Sequence, residues 1–206
     1  MAFDLDPGRT AVVVIDMQND VVHPDGVWGG PAGAAAHCAE QGAIANIGAI
    51  CAAARKAGAK VIFVLHLPSV GADGDADSRQ NAGLWRDTRA SGGLSTEWGR
   101  APVDGCVPQD GDIVLHKQRG NAFTSTALDI KLRGLGADKV VLTGAWTNMA
   151  VESTARVGAD IGYEMAIVAD ATVTINAEWQ KAALAYGVTV FAETPTTAEV
   201  VSALGS

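Results

Sequence analysis

The chain has 206 residues and a mass of 21.1 kDa, which fits one large domain, so we expect residues 1–206 to form a single domain. Hydrophobic residues make up 48% of the chain, yet no apolar run approaches the ~20 residues that cross a bilayer. Lys and Arg number 15 against 23 Asp and Glu, a net charge of −8 that repels nucleic-acid phosphates and anionic membranes. The composition thus argues against membrane and nucleic-acid partners.

The cysteines and histidines show no spacing typical of a metal site or of a disulfide framework. They are Cys38, Cys51, Cys106, His23, His37, His66 and His116. An odd number of cysteines and the lack of an export signal at the N-terminus predict a reducing, cytoplasmic location. We therefore expect neither a metal nor another cofactor.

Short β-branched apolar runs alternate with helical stretches along the chain. Strands are predicted over Thr10–Ile15, Lys60–His66, Asp112–Lys117, Lys139–Gly144, Glu164–Ala169 and Val188–Ala192. Helices are predicted over Gly42–Gly58, Ser125–Leu135, Asn148–Asp160, Ala177–Tyr186 and Thr196–Leu204. This alternation, with nearly uninterrupted apolar strands, predicts an α/β fold of three layers, α/β/α, around a six-stranded, mainly parallel, Rossmann-like sheet.

Three of the predicted strands end at groups that could take part in catalysis. Asp16 ends the first strand, Lys117 ends the third, and the fourth runs into residues 144–150, where a helix begins. Ligands of open α/β sheets bind outside the carboxyl ends of the strands, so these residues are expected to converge. An acid beside a cation can carry a proton, and a helix N-terminus can stabilise an oxyanion. Taken singly, Asp16 is more often a cap or a structural ion pair, and Lys117 is more often a solvated side chain.

Three ordered motifs carry a family resemblance that spans nearly the whole chain. They are VIDMQND at 14–20, DIVLHKQRGNAF at 112–123 and TGAWTNMAVESTAR at 143–156. The chain resembles the isochorismatase-like cysteine hydrolase superfamily, and within it the ureide and carbamoyl amidohydrolases. The nicotinamidase branch carries a metal through an Asp and several His, and the absence of that set here points away from nicotinamidase.

The resemblance implies a catalytic Asp, Lys and Cys at Asp16, Lys117 and position 150, which here is Ala150. In the family the thiolate attacks a carbonyl, the Asp moves the thiol proton to the leaving amine, and the Lys holds the Asp and lowers its pKa. The resemblance also implies a cis peptide between Ala145 and Trp146. The backbone N–H groups of Trp146 and Ala150 are then the expected oxyanion donors.

Three explanations of Ala150 are open. The chain is a nucleophile-deleted form of a cysteine amidase, which the thiol-type surroundings favour; or it is a natural, thiol-independent hydrolase of a vinyl ether, like isochorismatase; or it is a catalytically dead binding homologue. The presence of both Asp16 and Lys117 speaks against the third. Of the native cysteines, Cys106 is the one whose reach to the site has to be checked.

Asn19, Trp85, Phe123 and Trp146 are the candidate substrate-binding residues, because aromatic side chains over a small planar amide or ureide exclude water. Ordinary core or interface packing is an equal alternative for each aromatic except Trp146, and Asn19 could instead cap its turn. The expected protein is a cytoplasmic amidohydrolase of small amides, ureides or carbamoyl compounds, assembled as a homo-oligomer, a dimer or a tetramer. Without the thiol, this chain is expected to bind but not to turn over by acyl transfer.

Overall fold

The computed structural model describes residues 3–67 and 91–205. Its centre, within that part of the chain, is a five-stranded parallel sheet in the order β3-β2-β1-β4-β5. The strands are β1 Thr10–Ile15, β2 Lys60–His66, β3 Ile113–Lys117, β4 Lys139–Ala145 and β5 Glu164–Val173. The five strands match the first five predicted runs, and the α/β class with a parallel sheet is confirmed.

Helices cover both faces of the sheet. They are α1 Asn19–Val22, α2 Gly29–Ala32, α3 Ala34–Gln41, α4 Ala43–Ala57, α5 Glu97–Arg100, α6 Leu128–Gly134, α7 Glu152–Asp160, α8 Ala177–Ala182 and α9 Thr197–Leu204. There are also two π-helical turns: Thr147–Val151 leads into α7, and Ala183–Gly187 follows α8. None of the described helices is long and apolar enough to cross a bilayer.

The side chains of β1 alternate between two hydrophobic clusters because successive residues of a strand point to opposite faces. Val12 and Val14 belong to the cluster that α4 and α9 cover, whereas Ala11, Val13 and Ile15 belong to the cluster on the α6 and α7 face. Every residue of β1 is buried, as expected for a central strand of a doubly covered parallel sheet.

The sixth predicted strand, Val188–Ala192, is wrong. Residues 188–191 form a turn that continues the second π-helical turn, and the Val188 N–H donates to the Ala183 carbonyl at 3.1 Å. Val188 is buried while Val190 is 77% exposed, so the apolar run does not line an inner face of the sheet. The chain meets β5 after this turn: Glu193 forms an isolated parallel bridge with Ala166, and the Pro195 carbonyl accepts the Ala169 N–H at 2.8 Å.

The strand order creates a switch point between β1 and β4. β2 and β3 lie on one side of β1, and the chain then crosses to the other side of β1, where β4 and β5 lie. The connections that leave the carboxyl ends of β1 and β4 therefore diverge, which opens the crevice where α/β proteins bind ligands. Asp16 and the turn after β4, residues 144–151, lie at this crevice.

Residues 94–103 are attached to the chain that follows β1. The Leu94 N–H donates to Asp20 Oδ2 at 2.6 Å, the Asn19 N–H donates to the Ala101 carbonyl at 3.0 Å, and the Val103 N–H donates to the Met17 carbonyl at 2.9 Å. The 94–103 segment is thus held at the mouth of the crevice by residues 17–20.

Candidate active site

Asp16 stands directly after β1 with its backbone turned out of the strand. Its φ is 51°, in the left-handed region that non-glycine residues rarely adopt, and its N–H still donates to the Val64 carbonyl at 3.0 Å. The residue is only 7% exposed. Backbone conformations of this kind persist where the surroundings enforce them, and they concentrate at functional sites.

Lys117 at the end of β3 reaches across β2 to Asp16. Its Nζ lies 2.8 Å from Asp16 Oδ2, and its side chain is completely buried. The structure therefore joins the two predicted groups in one buried ion pair, which we call the Asp16–Lys117 pair. Within the described part of the chain, the other carboxylate oxygen, Asp16 Oδ1, is buried with no hydrogen-bond partner.

Burial raises the pKa of Asp16 to about 6, because a desolvated carboxylate is disfavoured; the Lys117 charge and its hydrogen bond lower the pKa and offset only part of this effect. The family expectation that the lysine lowers the carboxyl pKa thus describes one contribution, while burial decides the sign. A carboxyl with this pKa can both accept and release a proton near neutral pH.

The turn after β4 lies beside the end of β1. Gly144, with φ 106°, pairs with Ile15, and a Cβ on it would lie 2.1 Å from the Ile15 carbonyl oxygen. The next peptide bond, Ala145–Trp146, is cis, as the resemblance implies. The indole N–H of Trp146 donates to the Val21 carbonyl at 3.3 Å, which ties this turn to α1.

Ala150 occupies the π-helical turn that follows and is 6% exposed. Its carbonyl accepts from the Thr154 hydroxyl at 2.6 Å, and that hydroxyl oxygen accepts the Ala122 N–H at 2.9 Å. The same turn is braced at Thr147, whose hydroxyl donates to Gln180 Oε1 at 2.6 Å. The methyl group of Ala150 therefore stands on a well-supported backbone at the carboxyl edge of the sheet.

Asn19 and its neighbour Gln18 make structural hydrogen bonds. Asn19 Nδ2 donates to the Trp98 carbonyl at 2.9 Å, and Gln18 Nε2 donates to the carbonyls of Arg100 at 2.8 Å and of His66 at 3.0 Å. These bonds fit the alternative that Asn19 stabilises its turn. A substrate contact of Asn19 stays a prediction.

The aromatic candidates for substrate binding lie in different parts of the fold. Phe123 stacks on Tyr163 with ring centroids 5.7 Å apart and packs, partly buried, on the hydrophobic cluster of the α6 and α7 face; its substrate contact stays a prediction. Trp146 is partly buried against the other cluster next to the β4 turn. Trp85 lies outside the described residues. Trp98, another aromatic residue near the ends of the predicted loops, is 47% exposed and meets His23 edge to face.

Two of the three cysteines, Cys51 and Cys106, lie together in a part of the molecule other than the β4 turn. Cys51 and Cys106 line a separate cavity of about 320 Å³ between α4 and residues 105–109, and both are buried. Burial raises the pKa of Cys51 to about 11 and that of Cys106 to about 12, so both stay protonated thiols. Within residues 3–67 and 91–205, no group of three or more His, Cys, Asp or Glu side chains is arranged to hold a metal ion.

His66 contacts the Asp16–Lys117 pair, although its position in the sequence by itself did not indicate this. A lone histidine at a strand end is usually a hydrogen-bonded structural residue, and His66 is hydrogen-bonded, but to Lys117: its Nδ1 lies 3.2 Å from Nζ. The signal available in the sequence was its position at the end of β2. That strand lies between the strands of Asp16 and Lys117, an order which only the structure gives.

Comparison with protein families identifies the chain. The Isochorismatase domain matches residues 10–199. The chain belongs to the isochorismatase family. A ureidoacrylate amidohydrolase of Pseudomonas syringae pv. syringae is 34% identical over 208 aligned residues, covering 90% of this chain and 79% of the relative.

Solved structures agree with the family assignment. A cysteine hydrolase from Pseudomonas syringae pv. phaseolicola is 25% identical with a TM-score of 0.80, covering 98% of this chain and 95% of that one. N-carbamoylsarcosine amidase from Thermoplasma acidophilum is 25% identical with a TM-score of 0.67, covering 92% of this chain and 96% of that one. The predicted likeness to ureide and carbamoyl amidohydrolases is confirmed at the level of the family.

Proposed function

We propose that the crevice between β1 and β4 is the site of a hydrolase for the C–N bond of a small amide, ureide or carbamoyl compound. We further propose that this chain binds such a compound without acyl transfer. The observation that carries the proposal is the buried carboxylate of Asp16: one oxygen lies on Lys117, and the other has no hydrogen-bond partner among the described residues. The names of the amidohydrolase relatives supply the substrate class.

The proposed chemistry needs a thiol at position 150. A cysteine there would give its proton to Asp16, and the thiolate would attack the substrate carbonyl, forming a C–S bond. When the C–N bond breaks, Asp16 would return the proton to the leaving nitrogen, which departs as ammonia or an amine. Water then hydrolyses the thioester to the acid and regenerates the thiol. The N–H groups of Trp146 and position 150 are the proposed donors to the oxyanion.

The test is Ala150→Cys, assayed for ammonia release over a panel of small ureides, carbamoyl compounds and amides. The chain as given is expected to bind a compound of the panel, detected by calorimetry, without releasing ammonia. The variant is expected to release ammonia from that same compound, because the missing thiol lies on a turn that is already braced.

Two variants control this experiment. Ala159→Cys places a thiol on α7 away from the β4 turn and is expected to stay inactive. Ala150→Cys combined with Asp16→Asn keeps the thiol but removes the proton acceptor, and is expected to lose the gained activity. Equal ammonia release by the chain as given and by Ala150→Cys would contradict a thiol mechanism, and no binding or hydrolysis by either would contradict the substrate class.

A second function is favoured by the raised pKa of Asp16. A carboxyl with a pKa of about 6 is partly protonated near neutral pH and can donate its proton to a vinyl ether carbon without any thiol. Isochorismate turnover by the chain as given, lost in Asp16→Asn, would support this function instead.

A further inference from the structure

Among the residues that the structure describes, three acceptors surround the Lys117 ammonium. They are Asp16 Oδ2 at 2.8 Å, the Arg119 carbonyl at 3.0 Å and His66 Nδ1 at 3.2 Å. An ammonium carries three N–H donors and no acceptor, so these three groups match its full hydrogen-bonding capacity. Lys117 is therefore engaged as a fixed cation that holds Asp16.

His66 is held in place from the Asp16 side of the crevice. Its backbone N–H donates to Gln18 Oε1 at 2.7 Å, and its carbonyl accepts from Gln18 Nε2 at 3.0 Å. Gln18 lies two residues after Asp16, so one short stretch of chain carries the carboxylate and also orients the histidine backbone. The residue is 8% exposed.

Burial and, after it, the neighbouring positive charges decide the protonation state of His66. Asp16 comes from β1, and Lys117 and Arg119 come from β3 and the chain just after it. Burial and the positive charges of Lys117 and Arg119 lower the pKa of His66 to about 3, so the imidazole is neutral at physiological pH. Because an ammonium cannot accept a hydrogen bond, Nδ1 must carry the lone pair and Nε2 the proton.

We propose that His66 is a positioning residue: its neutral imidazole accepts a hydrogen bond from Lys117 at Nδ1 and thereby holds the ammonium against Asp16. The proposal rests on the geometry of the Asp16–Lys117 pair and not on the proposed reaction. Removing the acceptor leaves one ammonium proton unsatisfied in a buried place. The ammonium is then less well fixed and supports the carboxylate less.

The first test uses the chain as it stands. Nitrogen-15 NMR of histidine-labelled protein reports the tautomer of each ring, and the signal that disappears in His66→Asn belongs to His66. We expect an unprotonated Nδ1 and a protonated Nε2 from pH 8 down to pH 5. A protonated Nδ1, or a His66 imidazolium at pH 7, would overturn the proposal.

The second test follows the Asp16 carboxyl by carbon-13 NMR during a pH titration, its signal assigned by its absence in Asp16→Asn. His66→Leu removes the acceptor, and the titration midpoint of Asp16 is expected to move upward by about 0.5 to 1 pH unit. His66→Asn, which presents an amide oxygen close to the Nδ1 position, is expected to keep the midpoint near its original value.

A folded His66→Leu protein with an unchanged Asp16 midpoint would show that His66 only fills space, and would overturn the proposal. If His66→Leu does not fold, the tautomer measurement on the unmodified chain still decides. Neither experiment uses a substrate, so a failure here is distinguishable from a failure of the Ala150→Cys experiment.

Discussion

At the scale of single residues, the candidate site is a balance between burial and charge. Asp16 and Lys117 are both out of water, and each is tolerable only because of the other. Burial nevertheless outweighs the lysine at Asp16, since its pKa is raised and not lowered. The pair is therefore held close to a change of protonation state, which suits a proton carrier better than a purely structural bridge.

Lys117→Met tests this balance through stability. The substitution removes the partner of a buried carboxylate, and we expect the free energy of unfolding at pH 8 to fall by about 3 kcal/mol. At pH 5 the loss should be smaller, because Asp16 is then largely protonated in the parent as well. Urea unfolding at the two pH values measures both quantities.

The control for Lys117→Met is Arg133→Met, which breaks the exposed pair with Asp129 on α6 and is expected to leave the urea midpoint nearly unchanged. An equal loss at pH 5 and pH 8 in Lys117→Met would show that packing of the lysine side chain, and not its charge, is what the fold needs.

At the scale of elements, the crevice depends on how closely β4 approaches β1. Gly144 pairs with Ile15 at the last step of the ladder, and the strand ends one residue later at the turn that carries Trp146 and Ala150. A side chain at Gly144 would collide with the Ile15 backbone immediately before Asp16. Glycine here sets the distance between the acid and the turn.

Gly144→Ala is accordingly expected to be strongly destabilising. A methyl group at φ 106° costs about 1–3 kcal/mol in backbone strain, and the overlap with the Ile15 carbonyl should add a similar amount. Gly162→Ala is the matched control, since its φ of 100° carries the same strain but nothing lies within 4 Å of its Cβ. Similar thermal unfolding midpoints for the two variants would contradict this account.

At the scale of the whole molecule, two buried groups make opposite contributions to the pH dependence of stability. Asp16 has a raised pKa, so its contribution is present below pH 3.8 and is lost as the pH rises through about 6. His66 has a lowered pKa, so its contribution is present above pH 6.5 and is lost as the pH falls towards 3. Between pH 4 and 6 the two nearly cancel.

His66→Asn should expose this cancellation. Without the histidine, the variant loses stability relative to the parent as the pH rises from 4 to 6.5, by about 3 kcal/mol in the difference of unfolding free energies. Chemical unfolding of both proteins over this pH range measures the difference. A difference that does not change with pH would mean that His66 titrates alike in the folded and unfolded chains.

Other properties at this scale stay predictions. They are the single domain over residues 1–206, the homo-oligomer and the cytoplasmic location.

The sequence by itself determined the parallel α/β architecture and the family, because buried parallel strands are apolar runs and Asp16 and Lys117 stand where two of those runs end. It also placed the cis peptide at Ala145–Trp146 by resemblance. The prediction of a sixth strand was wrong because a short apolar run has the same sequence pattern in a strand as in a turn. At Val188 the buried side chain reaches the core from a turn.

Only the tertiary structure decided which groups meet. The strand order sets β2 between β1 and β3, so His66 lies beside Lys117, and the fold stacks Phe123 on Tyr163. The upward direction of the Asp16 pKa likewise follows from desolvation, which depends on everything packed around the carboxylate. Such contacts join residues distant in the chain, and neighbouring residues in the sequence carry no record of them.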